Sequence, residues 1–326
     1  MLVQPVSLYG NYRNNYINHS KTSFSGHSGI ETTYNLGKKV VLTTETAFFR
    51  EPDTLEFVRD YANKTFKNEP VKKIVVGACS SGEEAWSYKM LFNGTPVRIY
   101  AFDPAARLIT LARKGLVEIS EPRSRLAQEF VKDFKVSGYK DSYLAFDRQN
   151  LTPQESERLG SFNKMFEFVP PSKNFVLGIH HYDKAFPDSP HAEFEKKVYR
   201  LKDENGTDCV FFVSDVRDFR DKKEYPLFKN HIFSFRNALY HLMTKKVSVS
   251  RVELPRNEIV KTLAPVFSDI NKSLDKKGLL VFGENENMQG SNMSIISEML
   301  PNLGFEPVYN NISRSYQHIW AKNREL

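Results

Sequence analysis

The residues best placed by type and spacing to do chemistry lie between Gly77 and Glu84, in the run Gly-Ala-Cys-Ser-Ser-Gly-Glu-Glu. Glycines at both ends of a turn let a ligand approach the backbone and the start of a following helix, where unpaired N–H groups point outward. Gly77 and Gly82 have the frame of a phosphate-binding loop, but that loop continues with Lys and then Ser or Thr. Here Glu83 and Glu84 follow, with Ser81 inside the turn. Two carboxylates repel a triphosphate and suit a cation, such as the sulfonium and ammonium groups of S-adenosylmethionine. Acidic residues also favour a helix N-terminus through the helix dipole, so the pair has a structural reading as well.

Asp103 closes the apolar run Val97–Phe102. An acid at that place in Rossmann-like folds accepts hydrogen bonds from ribose hydroxyls. An Asp before Pro104 also serves as a helix N-cap. Arg50 follows Phe48 and Phe49, with Thr43, Thr44 and Thr46 just upstream. That stretch reads as a strand running into a helix, or as a clamp around a small molecule. In the clamp, the phenylalanines pack and the guanidinium fork meets a carboxylate bidentately. A surface ion pair is the commoner fate of an arginine. His180, His181, Asp183 and His191 are metal-ligand types, but their spacing fits no zinc pattern and no metal is expected. Cys79 sits inside the turn and reads as small packing rather than as a nucleophile.

These residues need elements to hold them. Asp53 followed by Glu56 reads as a capping box, and Leu55, Val58, Ala62 and Phe66 then fall on one helical face. Lys72–Gly77 is a buried-type strand, Glu83–Phe92 a helix and Val97–Phe102 a second strand. Pro104 suits the first helical position, and Gly115 a helix stop. Strand–helix–strand–helix is the pattern of a parallel α/β sheet. The rhythm breaks over 116–205, read as an inserted subdomain. Thr152, Pro153 and Glu155 form a capping box there, and Asn205-Gly206 reads as a hairpin turn between Glu195 and Val213. It resumes with strands that end near Asp215 and at Arg236-Asn237, a helix from about 258 to 274, the strand Leu279–Gly283 and a closing antiparallel hairpin. Seven strands so arranged describe a doubly wound, mixed, Rossmann-like sheet with a smaller α+β insert. Gly77–Glu84, Asp103, Asp215-Val216 and Arg236-Asn237 all fall at strand ends, where open α/β sheets bind ligands.

The divisions expected are a flexible leader over 1–40, a first part of the main domain over 41–115, the insert over 116–205 and a second part over 206–326. The net charge of +7 is spread among 39 acidic residues, with no basic run, so nucleic acid is not an expected partner. Two cysteines exclude a disulfide scaffold. No apolar stretch approaches the ~20 residues of a membrane span. A cytoplasmic protein without membrane insertion is expected.

The motifs Thr44–Pro52, Gly77–Ser87, Tyr100–Leu116, Phe233–His241 and Leu274–Glu286 resemble, in order and spacing, the CheR-type chemoreceptor glutamate methyltransferases, a class I S-adenosylmethionine-dependent family. The resemblance covers 41–115 and 206–320. It implies S-adenosylmethionine as cofactor, held by Thr46, Arg50, Gly77, Ser81, Gly82, Glu83, Asp103, Asp215, Val216, Arg236 and Asn237. Arg50, with Tyr240 and His241, would face the methyl-transfer site, and His241 could act as a general base or pack on a helix face. The implied reaction is O-methylation of glutamate on a protein partner with acidic side chains. A small-molecule methyltransferase, or a non-catalytic binding module, remains open on the same residues. The chain departs from the family pattern at Thr44, Ala85-Trp86, Asp215, His241 and Asn285. Residues 1–40 do not match the family's N-terminal helical domain, and 116–205 is longer than its receptor-docking β-subdomain.

Overall fold

The computed structural model of the chain describes residues 30–33, 40–43, 48–122, 152–170, 194–202, 206, 208–225, 228–236, 238–247, 250–283, 286, 292–308 and 317–326. Seven strands form one sheet: β1 (Lys72–Gly77), β2 (Val97–Asp103), β3 (Cys209–Val213), β4 (Asn230–Ser234), β5 (Leu274–Val281), β6 (Phe305–Pro307) and β7 (Ile319–Lys322). Their order across the sheet is 3-2-1-4-5-7-6. Strand β7 runs antiparallel to both neighbours, and the other pairings are parallel. This is the class I methyltransferase form of the Rossmann-like sheet. Its strand order reverses beside β1, where open sheets of this kind take ligands.

The central strands are apolar at nearly every position because both faces are covered. Ile74 and Val76 of β1, Ile232 of β4 and Leu279 and Val281 of β5 point into one core. Val75, Phe233 and Leu280, the residues between them, point into the other. Helices α1 (Pro52–Thr65), α2 (Glu83–Leu91) and α3 (Ala106–Arg113) contribute Leu55, Val58, Ala85, Trp86 and Ile109 to the first core. Helix α4 (Pro153–Met165) belongs to the insert, and α5 (Tyr240–Met243) is a single turn. Helices α6 (Arg256–Ser273) and α7 (Met293–Met299) contribute Ile259, Leu263, Phe267 and Ile296 to the second core.

Helix α1 begins at Pro52, which needs no N–H partner in a first turn. Its N-cap, Glu51, is in the left-handed region and makes no side-chain cap, so the expected Asp53–Glu56 box is not what starts it. Helix α3 begins at Ala106 rather than at Pro104, and Asp103 is drawn to other partners. Gly115 follows it at φ +61.

A second sheet has Phe194–Leu201 at its centre, flanked by Leu116–Pro122 and Phe166–Val169, both antiparallel to it. Thr152 starts α4 with the expected capping box: its hydroxyl accepts from the Glu155 N–H at 3.2 Å, and the Glu155 carboxylate accepts from the Thr152 N–H at 2.9 Å. The hairpin expected at Asn205-Gly206 does not form. The strand before it is the centre of the small sheet, whereas β3 after it pairs with β2 in the large one. Phe162, Phe166 and Tyr199 join the first core, and Phe48 meets Phe162 and Phe166 edge-on at 5.2 and 5.6 Å. Upstream, Ile30–Thr33, within the stretch expected to be a leader, pairs antiparallel with Val40–Thr43. Among the described residues no helix is long and apolar enough to cross a membrane.

Candidate functional site

The turn after β1 is sharply folded. Ala78, Ser80 and Gly82 have φ of 56°, 52° and 99°, so left-handed residues recur at every second position. Only glycine takes that region without cost; Ala78 and Ser80 need outside support, of order 1–3 kcal/mol each. A side chain on Gly77 would come within 3.0 Å of Phe102 and 3.1 Å of Phe235.

Asp103 provides much of that support. Its Oδ2 accepts the Ser80 N–H at 2.9 Å and its Oδ1 accepts the Ala105 N–H at 2.8 Å. The backbone ties in beside it: Cys79 N–H donates to the Phe102 carbonyl at 3.0 Å, and Ser214 N–H to the Asp103 carbonyl at 3.2 Å. A carboxylate offers about four lone-pair sites, so Asp103 can brace the turn and still accept from a diol. Ser81 donates to both oxygens of Glu83, at 2.8 and 2.9 Å, and Glu83 is buried. Burial, and then the nearby Asp103, push the Cys79 thiol well above its usual range. That suits packing and not a nucleophile.

The segment carrying Arg50 docks onto α2. Phe49 N–H donates to the Ser87 hydroxyl at 2.8 Å, and that hydroxyl donates to the Glu83 carbonyl at 2.7 Å. Phe49 and Glu51 are both left-handed, at φ 51° and 52°, with half-buried Arg50 between them. Arg236, just past β4, holds this turn. Its Nη2 donates to the Arg50 carbonyl at 2.5 Å and to Glu51 Oε2 at 2.9 Å, and its Nη1 lies 3.6 Å from Glu84 Oε2. Glu84 also accepts from Ser234 at 2.5 Å, and Tyr88 donates to Ser234 at 3.2 Å. Burial opposes the Arg236 charge, but Glu84 and then Glu51 outweigh it and hold the guanidinium above its usual range.

The structure thus brings Gly77, Ser81, Gly82, Glu83 and Asp103 together in one turn, with Arg50 and Arg236 joined to it through α2 and Glu84. Asp215 follows β3, and its carboxylate takes a two-pronged ion pair from Arg217, at 2.7 Å on each oxygen. Val216 is buried in the second core. Tyr240 and His241 lie on α5 with their rings 3.8 Å apart. Thr46 and Asn237, like the histidines at 180, 181 and 191, lie outside the described residues.

Sequence reading left four residues of this assembly without a role. Glu51, Ser87 and Ser234 lie inside the motifs that carry the resemblance, but each has a partner far away in sequence that the motifs do not reveal. Glu286, which accepts from the Ala238 N–H at 3.2 Å, had a signal: it is the acid at the end of the Gly-Glu-Asn-Glu turn after β5.

The arrangement fits S-adenosylmethionine. The turn has the glycines for close approach, an acid braced at the ribose position and further carboxylates for a cation. Residues 44–166 match the family model described as CheR methyltransferase, SAM binding domain. A comparison with curated proteins finds no match. Among solved structures, MNMC2 from Aquifex aeolicus is 15% identical, with 97% of this chain and 84% of that one covered and a TM-score of 0.37. The rRNA methyltransferase AviRa from Streptomyces viridochromogenes is 11% identical, with 74% and 77% covered and a TM-score of 0.35. The plantazolicin methyltransferase BpumL, solved with a monoazolic desmethylPZN analog and SAH, is 11% identical, with 86% of each chain covered and a TM-score of 0.37.

Proposed function

We propose, since residues 44–166 match the CheR methyltransferase SAM binding domain, that this S-adenosylmethionine-dependent enzyme methylates carboxylates on a protein partner. What supports the reading is the placement of Arg50. It stands in a strained turn fastened on one side to α2, which follows the glycine turn, and on the other to Arg236 at the end of β4.

Gly77, Gly82, Glu83 and Asp103 would hold the cofactor, with Asp103 on the ribose and Glu83 on the ammonium end. When bound, the cofactor would supply an electrophilic methyl group for an acceptor oxygen, with the electron pair of the methyl–sulfur bond left on sulfur. The guanidinium fork of Arg50 would hold an acceptor carboxylate bidentately and keep one oxygen in line. A glutamate, with a free pKa of about 4.3, is ionised near neutral pH, so no side chain has to remove a proton. Tyr240 and His241 are then left to shape the acceptor side rather than to act as bases.

The test is incubation with S-adenosylmethionine radiolabelled on the methyl group, together with protein extracted from the source cells. The expected result is protein-bound label that mild alkali releases as methanol, the behaviour of a methyl ester. Label in small metabolites or in nucleic acid, with none in protein, would overturn the assignment.

A further inference from the structure

Arg236, one of the residues that the resemblance assigns to the cofactor, grips the protein itself through Nη2, while its buried Nε and Nη1 have no hydrogen-bond partner. Its guanidinium is fully buried. One nitrogen serves both the Arg50 carbonyl and the Glu51 carboxylate, and the other faces Glu84. The contact with Arg50 is to the backbone, so it fixes where the Arg50 main chain lies.

The geometry of the turn explains why it needs fixing. Phe49 and Glu51 are both left-handed, a costly state for residues with a Cβ that persists only where the surroundings enforce it. Three bonds do so: Phe49 N–H to Ser87, Leu55 N–H to the Glu51 carbonyl at 3.2 Å, and the Arg236–Glu51 pair. The first two would survive a rotation at Arg50; the third spans it, because Arg236 grips the Arg50 carbonyl and the Glu51 side chain with the same nitrogen. Its other end rests on Glu84, in the first turn of α2.

We propose that Arg236 is a positioning residue, a latch that locks the Phe49–Arg50–Glu51 turn against the helix of the cofactor turn and so sets where Arg50 stands. The proposal rests on the reading of Arg50 given above for its catalytic meaning, but its physical content can be tested without any methyl acceptor.

The test is hydrogen–deuterium exchange read by mass spectrometry on the full chain, for wild type, Arg236→Lys and Glu51→Gln, with calorimetric titration of S-adenosylmethionine alongside. Glu51→Gln keeps the shape of the side chain and carries the test should Arg236→Lys fail to fold. The expected result is a rise of at least tenfold in exchange over residues 48–55 in each folded variant, with β1 and β4 unchanged. Unchanged exchange over 48–55 overturns the latch, and more so if Arg236→Lys then loses affinity fiftyfold, as a lost ligand would. A rise spread equally through β1 and β4 also overturns it, since Arg236 would then support the whole fold. Wild type that fails to bind the cofactor would sink the functional reading, while the exchange result would still decide the latch.

Discussion

Asp103→Asn is the substitution that most directly weighs the fold against the site. The carboxylate accepts two backbone N–H groups, from Ser80 at 2.9 Å and Ala105 at 2.8 Å, on different oxygens. Asparagine keeps the shape but has only one acceptor oxygen, so its NH2 group turns a donor towards one of the two amides. One charge-assisted bond is lost and one buried N–H is left facing a donor, at a cost of about 2–3 kcal/mol. Were Asp103 a simple helix cap, the cost would be about 1 kcal/mol; α3 instead starts at Ala106 and has no side-chain cap. Urea unfolding measures the difference as a fall in midpoint at unchanged slope. A loss below about 0.5 kcal/mol would refute the claim that Asp103 braces the turn. Titration with S-adenosylmethionine under conditions where both proteins are folded separates the second role. Lost affinity is expected, and retained affinity would make Asp103 a fastener and nothing more.

Three further outcomes follow from the same geometry. Gly115→Ala places a Cβ 2.4 Å from that of Leu201 at a φ of +61, where the α3 end meets the small sheet; a loss of about 2–5 kcal/mol is expected from combined strain and overpacking, read by chemical denaturation. His231 accepts the Lys73 N–H at 3.1 Å and stacks on Phe66. Burial, and then Lys73, hold its imidazole down at about 4, below the ~6.5 of an unfolded histidine, so the unfolded chain takes the proton first. Stability should therefore fall as pH drops from about 6.5 towards 4, by on the order of 3 kcal/mol, and His231→Gln, which keeps an acceptor, should flatten that slope. Burial raises both thiols, Cys209 to about 12; native protein should give almost no reaction with a thiol reagent at pH 8, and denatured protein should give two equivalents.

Much of this was legible where local pattern and tertiary context agree. The apolar run Lys72–Gly77 could only be a strand covered on both faces, and Leu55, Val58 and Ala62 mark the buried side of α1 as their spacing requires. Thr152 and Glu155 form their capping box because both partners lie within one turn. The failures share a cause. Asn-Gly is a sound turn signal, but turn chemistry does not say which sheet the next strand joins; β3 is claimed by β2 as its edge partner. Asp53 and Glu56 match a capping box, but the helix entry is set by Pro52 and by Arg236, which takes Glu51 from across the fold. Glycine advertises a positive φ, whereas Phe49, Glu51, Ala78 and Ser80 give no sign of one.

That last group shows how the site is built. Of the two strained stretches, Ala78–Gly82 leads into α2 and Phe49–Glu51 is bonded to it at Ser87, and each is held by a charged residue at the end of a neighbouring strand: Arg236 past β4 and Asp103 on β2. Neither stretch is stable as local structure, so each depends on the neighbouring strands that carry its fastener. Sheet order decides which strand ends are neighbours: β1 lies between β2 and β4, and both fasteners therefore arrive beside the turn that follows it. A substitution at either fastener thus acts on the turn it holds rather than on the sheet. Residues read from sequence as ligands can be fasteners first, with ligand contact left to the groups they position. Asp103 keeps acceptor capacity for both tasks, while Arg236 has committed Nη2 to Arg50 and Glu51 and faces Glu84 with Nη1.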